Sequence, residues 1–146
     1  GSGLVGSEMC IRDSGYYEQY VANYADSVKD TPYLLLPLSY IDFAREETHL
    51  FKLLFINDMD LNMSDAKDFY KEAGNEKKAA LFSKAIGVGP EQAKVIYLDL
   101  FLYTHGMAVL TATNKLALSR TSAETMLKNF LSAFIKQENP DWNPAI

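Results

Sequence analysis

The sequence predicts an all-α fold, one helical domain of about six to seven helices, and three observations carry that expectation. Apolar residues recur at three- and four-residue steps along most of the chain, which is the spacing of one helix face. No stretch alternates apolar and polar residues for long enough to make a strand. Pro and Gly fall largely where they start or stop helices, as at Pro32, Gly87 and Pro90. A length of 146 residues suits one domain, and 48% hydrophobic against 23% charged residues supplies apolar material for a single core.

Residues 1–14 stand apart. They are Gly/Ser-rich, lack any period, and read as a non-native leader, a Gly-Ser scar followed by adapter-like sequence. The domain is expected over 15–136, with 137–146 as a tail. Tyr17, Tyr20, Val21, Tyr24 and Val28 mark the first amphipathic helix, which Asp30-Thr31-Pro32 stops. Thr31 as N-cap and Pro32 at the first helical position begin the next element, and Pro37 within it predicts a kink or a late start. Thr48 is expected to cap a short helix ending before Asn57. Ser64 and Asp65 open a weak helix to Glu72, Gly74-Asn75 break it, and a further short helix follows over 76–86. Gly87-Val88-Gly89 is a clear break, and Pro90 then starts the longest helix, reaching about Asn114. Ser122 is expected to cap the last helix, which ends near Lys136.

Composition excludes several classes. Lys+Arg 14 against Asp+Glu 19 gives −5, only three of the cations are arginine, and the longest basic cluster is Lys77-Lys78. A nucleic-acid surface needs a concentrated basic stripe to release counterions, so this chain is not expected to bind DNA by itself. Asp99 and His105 interrupt the longest apolar stretch, so no membrane-spanning helix is expected. Cys10 is the lone cysteine, which fits a reducing, cytoplasmic compartment. There is no HExxH, no Gly-rich phosphate loop and no cysteine nucleophile in the domain. Two histidines, His49 and His105, do not make a metal cluster, and Glu46-Glu47 read most simply as solvated. No enzyme activity, metal or cofactor is expected.

The two last helices say more. The one from Pro90 is apolar nearly all round, and the final one carries a broad stripe of Ala123, Met126, Leu127, Phe130, Leu131, Phe134 and Ile135. Either the monomer core consumes both stripes, or two copies share them as a four-helix interface with twofold symmetry. The second reading is favoured. It places Tyr103, Gly106, Leu110, Met126, Leu127, Phe130, Leu131 and Phe134 at a dimer interface.

The string FLYTHGMAVLTATNKL (101–116) resembles the HG-containing helix of TetR/AcrR-type transcriptional regulators. YIDFAREETHLFKLLF (40–55) resembles a second segment of that family, departing from it at Thr48-His49. The resemblance covers about Tyr16 to Lys136 and implies the C-terminal ligand-binding and dimerisation domain of a repressor. It implies further that the family's N-terminal helix-turn-helix is missing here, so DNA would be reached only through that absent domain.

On this reading an aromatic set with a few polar groups lines a pocket for a small apolar or aromatic effector. The candidates are Tyr40, Phe43, Phe55, Met59, Phe82, Tyr97, Phe101, Thr104 and His105, with Met63 as a further mouth residue. Each aromatic taken singly reads more readily as core, and it is as a set that the pocket reading gains. His105 either meets a ligand or is a core histidine satisfied by a neighbouring carbonyl or hydroxyl. The alternative function is a helical interaction or scaffold module with no pocket. A cavity beneath Tyr97 and Phe101 separates the two.

Overall fold

A computed structural model describes residues 15–57, 59 and 63–143, and among these every regular element is helical. The fold is all-α, as the periodicity predicts. The expected leader, with Cys10, lies outside the described residues, as do the last three residues of the tail.

Helix α1 covers 15–24 and tightens into a 3₁₀ turn over Ala25–Val28. Pro32–Leu34 is a second 3₁₀ turn that leads directly into α2 (Leu35–Glu46). Pro37 therefore sits in the first turn of α2, where its fixed φ is harmless, and it produces a late start rather than a kink. Thr31 makes no side-chain cap. Helix α3 (Thr48–Lys52) continues as a π turn over Leu53–Asn57. A 3₁₀ segment, Ala66–Lys71, is held by a reciprocal capping box between Asp65 and Asp68. Three long helices follow: α4 (Ala73–Ile86), α5 (Pro90–Ala112) and α6 (Arg120–Glu138).

Three expected boundaries are corrected. Thr48 is not the cap of α3, because its hydroxyl donates back to the carbonyls of Ala44 (2.9 Å) and Arg45 (3.2 Å). Gly74 and Asn75 lie in the first turn of α4, and the break falls at Glu72, whose ψ of 117° is extended. Ser119, not Ser122, caps α6: its side chain accepts from the Ser122 N–H at 3.1 Å. By contrast Gly87 ends α4 in the left-handed region (φ 66°), as a C-terminal glycine should.

Helix α2 lies at the centre. Every residue from Pro37 to Ala44 is buried, with α1, α3, α5 and α6 around it. Helix α1 docks on it through three phenols one turn apart. Tyr16 donates to Glu47 (2.9 Å), Tyr20 donates to Glu46 (2.8 Å), and Tyr24 donates to Asp42. Glu46 and Glu47 accept these bonds at the surface, where Glu46 remains exposed to solvent as expected. Asp42 is 3% exposed and also ion-pairs with Arg45, which donates to the Leu118 carbonyl at 2.6 Å. The Arg120 guanidinium lies over the Tyr24 ring at 5.2 Å. One buried carboxylate therefore ties α1, α2 and the α5–α6 connection together.

By length and composition α5 is apolar enough to cross a membrane, but it packs against α2 and α4 and carries Asp99 and His105. The tail is not idle either, since Trp142 meets the Tyr33 ring edge-on at 5.1 Å.

Replacing Asp42 by Ala strands the Arg45 guanidinium and the Tyr24 hydroxyl. The expected loss is about 2–3 kcal/mol, below the usual cost of breaking a buried pair because Arg45 is partly solvated. A urea titration followed by circular dichroism measures it, and a smaller loss for Glu46→Gln is the expected control.

Candidate functional site

The aromatic residues of α1, α2, the π turn and α5 converge on one cavity. Tyr17 comes from α1, Leu36, Pro37 and Tyr40 from α2, and Phe55 from the π turn, with Met59 beyond it. Asn75 and Lys78 come from α4, and Tyr97, Leu100, Phe101 and Thr104 from α5. The cavity volume is about 80 Å³. Its rings meet mostly edge-to-face: Tyr17 and Phe55 at 4.9 Å, Tyr40 and Phe55 at 5.0 Å, Tyr17 and Tyr40 at 6.4 Å. That geometry suits the ring quadrupoles but packs less tightly than stacked plates, and a gap remains among the rings.

Polar groups mark two points on its wall. Thr104 is 4% exposed and its hydroxyl has no hydrogen-bond partner. Helical threonines ordinarily donate to the carbonyl one turn back, and on the same helix Thr111 donates to Met107 and Thr113 to Val109, both at 2.8 Å. Thr104 does not. Lys78 is the second point. Its ammonium lies 5.8 Å from the centre of the Tyr17 ring, and burial holds its pKa below the usual lysine value, with Glu18 opposing weakly.

Of the nine sequence candidates, Tyr40, Phe55, Met59, Tyr97, Phe101 and Thr104 line this cavity. Three do not. Phe43 is fully buried and packs on Tyr17 (5.0 Å) and Tyr20 (5.2 Å), behind the wall. Phe82 supports Tyr97 from α4 at 5.7 Å. His105 stacks on Phe101 (5.5 Å, 16°), and its Nδ1 lies 2.7 Å from the Tyr40 hydroxyl. Burial depresses the imidazole pKa and pushes the Tyr40 phenol up, so the two form a neutral hydrogen-bonded pair. His105 is the satisfied core histidine, and its partner is a hydroxyl. Met63 is half-buried against the core but does not line the cavity.

Sequence reasoning missed Tyr17, Lys78, Asn75, Leu100 and the α2 start. Tyr17 was visible only as part of a helix stripe. Lys78 precedes Phe82 by one turn on α4, which is a faint sign of an inward position. Among the described residues no group of three His, Cys, Asp or Glu could hold a metal, and His49 is exposed on α3.

The expected interface residues divide. Leu127 and Leu131 are fully buried inside the monomer, with Ala123 and Ile135, so they face inward and cannot meet a partner. Met126 is 37% exposed, and Leu102 and Leu110 on α5 are 53% and 45% exposed. Tyr103 stacks on Phe130 at 4.5 Å, and Phe130 meets Phe134 at 4.7 Å, all half-buried along the α5–α6 seam. Gly106 is exposed, and a Cβ added there would meet nothing within 4 Å. Among the described residues no other element approaches it closely.

The His105 pairing has a pH signature. A depressed imidazole pKa contributes stability above the unfolded value of about 6.5, and that stability is lost as pH falls toward the folded value. The melting temperature is expected to drop between pH 7 and pH 5, and His105→Asn should flatten that part of the profile. Calorimetry across this pH range measures both.

No family model matches the chain, and no curated protein or solved structure matches it. The TetR/AcrR-type resemblance accordingly rests on residues 40–55 and 101–116, with the order of the later helices.

Proposed function

We propose that this domain is a homodimerising small-molecule sensor of the kind found at the C-terminus of TetR-type repressors, passing ligand occupancy to a separate DNA-binding domain. The observation that carries this reading is the division of α5 into two working sides. One side, Tyr97, Leu100, Phe101 and Thr104, walls the cavity. The opposite side exposes Val95 (66%), Leu102, Gly106 and Leu110, an apolar helix face broken only by Asp99 and adjoining Tyr103 and Phe130. A monomer has no use for a bare apolar face of this kind, whereas a second copy would cover it by twofold symmetry. Gly106 then permits close approach of the partner helix.

The second reading, an interaction module whose apolar faces serve assembly alone, has one observation in its favour. A cavity of about 80 Å³ is well below the ~300–1,000 Å³ of a drug-sized ligand site. Sensing then requires either a small ligand or movement of the π turn and Met59 at the rim. Such π turns recur at functional sites.

Native mass spectrometry of the purified protein reads oligomeric state and any retained small molecule together. A dimer with a bound small molecule supports sensing, a dimer without one under repeated purification supports the assembly reading, and a monomer removes both. The interface is addressed by Leu102→Glu combined with Met126→Glu, which leaves the core untouched. Sedimentation should show a folded monomer with unchanged helicity, and a persistent dimer would place the interface elsewhere.

A further inference from the structure

We propose that the cavity takes a short-chain aliphatic monocarboxylate, Lys78 supplying the counter-charge and Thr104 a hydrogen bond. This rests on reading the cavity as a ligand site and goes beyond it by naming the ligand's charge and size.

Lys78 is the first ground. It is the one cation on the cavity wall, it is partly buried, and no carboxylate lies within ion-pair distance of it among the described residues. The face of the Tyr17 ring, at 5.8 Å, is its described partner. A lysine held away from water ordinarily turns outward on its flexible stem or finds an acid. Burial lowers its pKa, and Glu18 acts on it only at a distance. An ammonium in this position is served by an anion that enters the cavity.

Thr104 is the second, independent ground. Its hydroxyl is buried and unpartnered, while Thr111 and Thr113 on the same helix each satisfy theirs on a backbone carbonyl. Buried polar atoms without partners are rare and point to an absent donor or acceptor. The rest of the wall, Tyr17, Leu36, Tyr97, Leu100 and Phe101, offers apolar or aromatic surface to the ligand's body. Size sets the upper bound: about 80 Å³ is about half of an engineered cavity that takes up benzene. One ammonium fits one negative charge, so phosphates and dicarboxylates are disfavoured.

The test is calorimetric titration with propionate and propionamide, equal in shape and different in charge, against wild type, Lys78→Met and Thr104→Val. Propionate is expected to bind wild type at least ten-fold more tightly than propionamide. Lys78→Met should abolish that preference while leaving propionamide binding unchanged, and Thr104→Val should weaken both probes. Lys78→Met should also melt no lower than wild type, since it removes a partly desolvated charge with no ion pair, so lost binding will not reflect unfolding. Equal binding of both probes to wild type, a propionate preference that survives Lys78→Met, or failure of both probes to bind wild type overturns the assigned ligand, whereas the sensor reading itself falls only if native mass spectrometry shows a monomer or no retained small molecule.

Discussion

Burial of α2 on every side is the constraint on which the rest depends. Eight consecutive residues, Pro37 to Ala44, are removed from water, so each polar atom among them needs a partner inside the protein. Asp42 finds Arg45 and Tyr24, and Tyr40 finds His105. Each pairing also fixes a neighbour. Tyr24 sets where α1 ends, Arg45 reaches the Leu118 carbonyl before α6, and His105 fixes α5 against α2. Apolar contact is non-directional, whereas each of these bonds specifies one partner and one geometry.

The cavity follows from the same arrangement. Tyr40 is tied to His105, and His105 is stacked on Phe101, so neither Tyr40 nor Phe101 is free to swing into the space beside it. Pro37 has no side chain long enough to fill that space, and Tyr17 enters from α1 edge-on. Phe55 closes one wall from a π turn, a backbone that re-aims a side chain relative to an α-helix. Rigid rings held by bonds elsewhere cannot relax into every gap, and close packing fails locally.

Much of this was legible in the sequence, for reasons that differ by element. The all-α class was legible because helical periodicity is a property of consecutive residues, and α5 carried both Pro90 at its start and an apolar surface on all sides. Caps were less legible. Thr48 and Ser122 have the right side chains, but whether a hydroxyl caps forward or bonds backward depends on backbone angles that the sequence does not show. The α6 stripe read too wide. Seven apolar residues were visible, yet only Ala123, Leu127, Leu131 and Ile135, every fourth residue, enter the core, while Phe130 and Phe134 stay at the seam and Met126 is exposed. Three of the six cavity-lining candidates, Tyr40, Tyr97 and Phe101, were legible because aromatic residues on α2 and α5 have few other places to go. Lys78 was not, since a lysine in the run Glu76-Lys77-Lys78 reads as solvated, and its surroundings come from other elements distant in sequence.

Within the proposed function, α5 carries a mechanical consequence. A helix is stiff along its axis, so side chains at Phe101 and Thr104 and those at Leu102 and Gly106 move as one body. A ligand that fits the cavity only after α5 shifts or rotates would bind one placement of the helix more tightly than another. The bare face would then present Leu102 and Leu110 to a partner at a changed angle, and two copies related by a twofold axis would double that change across the interface. The coupling is limited by the ligand's differential affinity for the two placements, about 1–3 kcal/mol in typical cases. A small cavity is suited to this, because a ligand that fills the resting space can gain further contacts only by moving the wall, and α5 is a wall whose far side exposes Val95, Leu102 and Leu110.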